Sequence, residues 1–217
     1  MKTLLFDLDG TLTDPKEGIT RCIAHALTRM GSTPPPLEDL RFAIGPPLRG
    51  SFSKLLNTED GAAVEAAIAA YRERFSTIGL FENALYPGIR ETLAEARARG
   101  HSVFLATSKP IVFATRILDH FELTPFFHGA YGSELDGKRD DKTELLAHLL
   151  AERKLEAGQC VMIGDRSHDM VAARNHGIGA LGVTWGYGSR EELLQAGAHA
   201  LCEAPADLLN HASGVNG

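Results

Sequence analysis

Two aspartates one residue apart and followed by glycine, Asp7-Leu8-Asp9-Gly10, stand directly after a short apolar run at the start of the chain, and Thr11 and Thr13 come next. A second polar group, Thr107-Ser108-Lys109, ends another apolar run, and a third, Asp165-Arg166-Ser167-His168-Asp169, ends a third. Lys142 stands by itself ahead of that last run. Carboxylates, hydroxyls and a lysine gathered at one edge would suit metal-assisted phosphoryl chemistry. Alone, Asp-x-Asp-Gly is a common turn sequence. A calcium loop is excluded, because that pattern needs Asp or Asn, then Gly and Glu, where this chain has Thr11, Leu12 and Gly18. The order of the segments along one chain carries the argument.

The runs that must position these groups are short and apolar: Thr3–Leu8, Ser102–Thr107, Cys160–Gly164 and Ala180–Thr184, with a weaker one at His128–Gly132. Their length and apolar continuity predict buried strands. Between them, residues 88–99, 142–153 and 169–176 carry apolar residues at helical spacing. Strands alternating with helices predict an α/β fold, a doubly wound, Rossmann-like parallel sheet covered on both faces. Ligands of such a sheet bind beyond the carboxyl ends of its strands, where the polar groups fall.

One segment breaks the alternation. From Asp14 to about Asn83 the pattern is helical, with one stripe at Ile19, Cys22, Ile23, Ala26, Leu27 and Met30 and another at Val64, Ile68, Tyr71 and Phe75. The expected organisation is a catalytic core of residues 1–13 and 84–217 with an inserted α-helical cap domain at 14–83. The tail after Ala204 is weakly patterned and is expected to fray.

Composition removes whole classes of function. With 217 residues, 44% apolar and 23% charged, the chain is ordinary globular material and not disordered. Its 22 basic and 28 acidic residues give a net charge of −6 without a basic run, so no nucleic-acid partner is expected. Cys22, Cys160 and Cys202 are scattered, which suits buried thiols in a reducing compartment. The opening MKTLLFDLDG is no signal peptide, since Asp7 interrupts its apolar run, and no stretch reaches the roughly 18 apolar residues of a membrane span. A cytoplasmic protein with no membrane partner is expected.

Taken together, FDLDGTLTD at 6–14, TSK at 107–109, Lys142 and GDRSHD at 164–169 resemble the haloacid dehalogenase-like hydrolase superfamily. The helical block at 14–83 matches the cap position of the phosphoglycolate phosphatase-like subfamily. IGPPL at 44–48 and WGYGS at 185–189 resemble the branch of phosphoglycolate phosphatases and 5′-nucleotidases. The resemblance implies a Mg2+-dependent phosphatase acting on a small phosphorylated metabolite, phosphoglycolate or a nucleoside monophosphate in type. Asp7 would attack phosphorus and form an aspartyl-phosphate. Asp9 would protonate the leaving oxygen and then deprotonate water. Magnesium would take ligands from Asp7, the carbonyl of Asp9, Asp165 and, directly or through water, Asp169.

Thr107 and the Ser108 amide, expected at a helix start, would bind phosphate, unless they only cap the helix opened by Pro110. Lys142 would hold both phosphate and Asp7, which explains a cation placed against the dipole of its helix. Lys109 and Lys138 compete for that role from less apt positions. Gly45 and Arg49, in a stiff loop of the cap, are candidate substrate contacts, although a rigid structural turn is equally consistent. Lys16 is a weaker candidate, and Arg72 and Arg74 read as solvated helix residues. Arg166 and His168 are expected to be exposed or supporting. Trp185 and Tyr187 are expected to pack in the core or to form a stacking shelf. Two other readings share the motifs: a sugar-phosphate mutase on the same fold, and a receiver-like signalling domain that keeps its phosphoryl group. Asp9 and the inserted segment argue against the latter.

Overall fold

The computed structural model describes residues 1–215, so the expected end of the core at 217 lies outside the described residues. The strands are β1 (Thr3–Phe6), the two-residue β2 (Thr13–Asp14) and β3 (Ala84–Leu85), then β4 (Ser102–Pro110), β5 (Gly129–Ser133), β6 (Cys160–Gly164), β7 (Gly179–Val183) and β8 (Ala200–Cys202). The helices are α1 (Lys16–Arg29), α2 (Leu48–Leu56), α3 (Gly61–Phe75), α4 (Ile89–Ala98), α5 (Ile111–His120), α6 (Lys142–Arg153), α7 (Ser167–Asn175), α8 (Arg190–Ala196) and α9 (Leu208–Gly214). The chain forms two compact units, one of Met1–Asp14 with the chain from Leu85 onward, the other Pro15–Ala84.

Six strands of the first unit form a parallel sheet in the order β5-β4-β1-β6-β7-β8. β1 lies between β4 and β6, with Phe6 level with Leu105 on one side and Ile163 on the other. Leu4, Leu5 and Phe6 are all fully buried, as a strand covered on both faces requires. Leu5, Phe104, Ala106 and Met162 pack on one face against Leu145, Leu146 and Leu149 of α6 and Met170 and Ala173 of α7. The alternating residues Leu4, Phe6, Val103, Leu105 and Ile163 serve the opposite face, and they too are fully buried.

Several boundaries differ from the sequence expectation. β1 stops at Phe6, because the Leu8 carbonyl is taken by the amides of Thr11, Leu12 and Thr13 in a turn. β4 runs past Thr107 to Pro110, with an irregularity between Thr107 and Pro110. A residue before proline is disfavoured in the helical region, so Lys109 stays extended and α5 begins only at Ile111. The tail after Ala204, expected to fray, forms α9, which buries Leu208, Leu209 and Ala212, and ahead of it the short β8 adds an edge strand. Both are too short to show a period in sequence.

In the Pro15–Ala84 unit, α1 buries Ile19, Cys22, Ile23, Ala26 and Leu27, and α3 buries Val64, Ile68, Tyr71 and Phe75. Tyr71 stacks on Phe75 at 5.0 Å between ring centroids and meets Phe52 edge-on. Asp60 caps α3, its carboxylate accepting from the Ala62 amide. Glu82 binds this unit together, paired with Arg74 at 2.6 Å and Arg21 at 2.8 Å.

Candidate active site

Because β4, β1 and β6 are neighbours, the residues just beyond their carboxyl ends meet at one edge of the sheet. Asp7 is the first residue after β1, and its amide donates to the Ile163 carbonyl at 2.9 Å. Asp165 is the first residue after β6. Asp169 lies in the first turn of α7, where one carboxylate oxygen accepts from the Arg166 amide at 3.3 Å. Asp7, Asp165 and Asp169 are buried, and each offers a carboxylate oxygen within 4.8 Å of the other two.

Lys142 enters this group from the first position of α6. Asp141 caps that helix by accepting from the Thr143 and Glu144 amides, which leaves Lys142 to turn inward. Its Nζ donates to Asp7 Oδ1 at 2.8 Å and to the Ala106 carbonyl at 2.8 Å, and it lies 2.9 Å from Asp169 Oδ1. Burial works against the charged ammonium, but the Asp169 and Asp7 carboxylates outweigh it and raise its pKa.

Asp165 is fully buried. Its Oδ2 accepts from the Tyr187 amide at 2.8 Å, and its Oδ1 has no hydrogen-bond partner among the described residues. Burial, reinforced by Asp7 and Asp169, raises its carboxyl well above the usual range. Burial also lifts Asp169, to about 6 despite Lys142. Three buried carboxylates, two of them paired with one ammonium and the third with an orphaned oxygen, form an all-oxygen donor set short of positive charge. That donor set fits a hard divalent cation.

The local chain is shaped to bring Asp165 in. Gly10 has φ +82°, and a Cβ there would stand 2.1 Å from Asp165 Oδ2. A Cβ at Gly186 would stand 2.4 Å from both Asp165 Cβ and the Gly10 carbonyl. Trp185 donates its indole N–H to the Thr11 carbonyl at 3.1 Å, and the Tyr187 hydroxyl donates to Asp14. WGYGS therefore clasps the first segment and Asp165, and a stacking shelf is not needed to account for it. Glu192 of α8 accepts from the Ser167 amide at 2.8 Å and pairs with Arg166 at 3.0 Å, which steadies the start of α7.

Some expected residues are placed differently. Asp9 stands outside the carboxylate trio: its Oδ2 pairs with Lys109 at 2.6 Å, both side chains almost fully buried. Lys109, discounted from sequence, is thus part of the site. The signal was available in its position beside Thr107, but nothing in the spacing links it to Asp9. Thr107 is buried, and its hydroxyl oxygen accepts from the Lys109 amide at 3.2 Å. Neither Thr107 nor Ser108 caps α5. Ser108 lies inside β4, ahead of Pro110, so its amide is not at a helix start as expected. Lys138 is exposed beside Glu134 at 3.9 Å.

Gly45 and Arg49 belong to the other unit. Gly45 has φ +98°, as a turn requires, and Arg49 pairs with Glu65 at 2.7 Å. Lys16 pairs with Glu38 at 2.5 Å, and Arg74, read as solvated, is held by Glu82.

The profile of the haloacid dehalogenase-like hydrolases matches residues 4–183, a span that contains every residue of this carboxylate and lysine group. The chain belongs to that family. It is 49% identical over 190 residues to the 5′-nucleotidase of Pseudomonas aeruginosa, covering 88% of this chain and 86% of that one. It is 38% identical over 213 residues to tyrosine-protein kinase PtkA of Mycobacterium tuberculosis, covering 98% of this chain and 72% of that one. Among solved structures it superposes on a predicted phosphatase from Clostridium acetobutylicum with a TM-score of 0.94 at 37% identity, covering 98% of each chain. This member of the haloacid dehalogenase-like family is an enzyme of the phosphatase class. Among the described residues, no helix is long and apolar enough to cross a membrane.

Proposed function

We propose that this phosphatase hydrolyses a small-molecule phosphate monoester through an aspartyl-phosphate on Asp7, with Mg2+ as cofactor. The observation that carries the reading is the buried trio Asp7, Asp165 and Asp169, with Lys142 bridging Asp7 and Asp169. Asp7, Asp165, Asp169 and the carbonyl of Asp9 would hold the metal, which supplies screening of the repulsion between a carboxylate nucleophile and a phosphate dianion. Lys142 fixes Asp7 through Oδ1 and offers its remaining charge to the phosphoryl oxygens. Thr107 donates its hydroxyl to the same group, with the Ser108 amide beside it. Asp9 gives a proton to the departing oxygen and takes one from the water that frees Asp7.

Likeness to a 5′-nucleotidase at 49% identity favours a nucleoside monophosphate over phosphoglycolate. Gly45 and Arg49 of the helical unit are assigned to ranking the esters. A cytoplasmic location and a free metabolite as substrate go with the acidic charge and the absence of a basic run. The test is a panel of nucleoside monophosphates, phosphoglycolate and a sugar phosphate, assayed before and after metal stripping. Phosphate release that needs Mg2+ and is fastest with a nucleotide supports the reading. Undiminished release by stripped enzyme contradicts the metal assignment, and transfer between sugar hydroxyls without phosphate release would make it a mutase.

A further inference from the structure

Asp9 is the one carboxylate of the site that is not drawn into the trio, and its partner is Lys109, the last residue of the Thr107-Ser108-Lys109 segment, to which the sequence assigned no role of its own. The Lys109 Nζ lies 2.6 Å from Asp9 Oδ2. Asp9 Oδ1 is buried and has no hydrogen-bond partner among the described residues. The backbone that carries Lys109 is clamped. Its amide donates to Thr107 Oγ1, the preceding carbonyl of Ser108 accepts from Ser133 Oγ at 2.8 Å, and Pro110 restricts it from the other side. A Cβ at Gly132 would stand 2.6 Å from the Lys109 carbonyl, so β5 closes directly on this segment. A buried ion pair in such a setting costs desolvation and is weak as a source of stability. It does, however, fix which way a two-oxygen side chain faces.

We infer that Lys109 is a positioning residue that holds Asp9 by Oδ2 and so reserves Oδ1 for proton exchange with the leaving group. The inference rests on the phosphatase reading above. In the first step the Asp7 oxygen–phosphorus bond forms and the bond from phosphorus to the ester oxygen breaks. The electron pair stays on the ester oxygen, which takes the proton of Asp9 Oδ1. In the second step a water oxygen bonds to phosphorus, the bond to Asp7 breaks, and the water proton returns to Asp9. In this role Lys109 need contact neither phosphorus nor the leaving oxygen. Its effect on the chemistry passes through Asp9, which a general electrostatic role or a structural role would not require.

The test compares kcat/KM for two esters, because that ratio covers only the steps through departure of the leaving group. A nucleoside monophosphate leaves as a basic alkoxide and needs the proton, whereas p-nitrophenyl phosphate leaves as a stable phenolate and needs it far less. Lys109→Met should lower kcat/KM by about 10²-fold for the nucleotide and by less than about threefold for the aryl ester. In an Asp9→Asn background the same substitution should cost nothing further on the nucleotide. Lys109→Arg, which keeps the cation, should restore much of the nucleotide activity. Equal losses on both esters, or losses that add to those of Asp9→Asn, overturn the inference. Should the Met variant fail to fold by circular dichroism, Lys109→Gln is read by the same ratio. A wild-type enzyme that hydrolyses neither ester would instead refute the phosphatase reading, so the two failures are distinct.

Discussion

The molecule treats charge in two opposite ways. In the helical unit, Glu82 is matched by Arg74 and Arg21, and hydrogen bonds from Arg74 hold its carboxyl down at about 2. In the sheet unit, Asp7 and Asp169 share Lys142, Asp9 has Lys109, Asp165 has no cation paired with it among the described residues, and Asp9 Oδ1 and Asp165 Oδ1 lack hydrogen-bond partners. The first arrangement stabilises the fold. The second costs stability, which the proposed cation and phosphoryl group would offset. A surplus of buried like charge thus separates the working cluster from the structural one.

The largest effect expected concerns the nucleophile. Asp7→Asn should reduce turnover by at least about 10³-fold while the fold survives, since the amide is nearly isosteric and cannot attack phosphorus. Near-normal turnover in undeamidated protein removes Asp7 from that role. Next comes Lys142→Ala, expected to lower kcat/KM by about 10²–10³-fold for every ester alike, because it meets the phosphoryl group common to all. It should also lower stability, by about 3–5 kcal/mol, as Asp7 and Asp169 lose their cation. An ester that is spared would move Lys142 to the leaving-group side.

Stability should separate the two clusters by sign. In metal-free protein, Asp165→Asn should stabilise by about 1–3 kcal/mol, because the amide removes a repelling charge and can donate to its neighbours. Glu82→Gln should destabilise by a similar amount, about 1–3 kcal/mol, since Arg74 and Arg21 lose their acceptor. Thermal melts of both variants in chelator decide the matter, and shifts in the same direction break the comparison.

The pH dependence carries the same opposition. Asp169 is raised from 3.8 to about 6, so its contribution is present below about pH 4 and is lost as pH rises through about 6. Glu82 is lowered from 4.5 to about 2, so its contribution is present above pH 4.5 and is lost as pH falls through about 2. Melting temperatures of the chelated wild type against Asp169→Asn and Glu82→Gln across pH 2–7 should show the two windows. The smallest effect belongs to the helical unit's loop. Arg49→Ala should change the ratio of kcat/KM between a nucleotide and phosphoglycolate by about tenfold, and equal losses on both would leave the 44–49 loop without a part in selection.

Much of this was legible in the residues. Continuous apolar runs located β1, β4, β6 and β7, because strands buried on both faces leave no polar interruptions. Asp7, Asp165 and Lys142 were legible as well, since each follows a strand or opens a helix where an open sheet binds ligands. The Lys109–Asp9 pair was not. It depends on the extended path that Pro110 imposes beyond Thr107, a local backbone choice that residue spacing does not register. The clasp of Tyr187 on Asp165 was hidden for a related reason. It is a backbone amide that binds, while the side chain types drew attention to ring stacking.

The central claim is that Asp7 becomes covalently phosphorylated. The direct measurement is borohydride trapping during turnover of a nucleoside monophosphate, followed by peptide mass spectrometry, since an acyl phosphate is reduced to the alcohol and a free carboxylate is not. The account predicts homoserine at position 7, formed only with substrate and Mg2+ present, and its absence in Asp7→Asn. Turnover at the normal rate with no reduction at position 7, or with the label on another carboxylate, would contradict it.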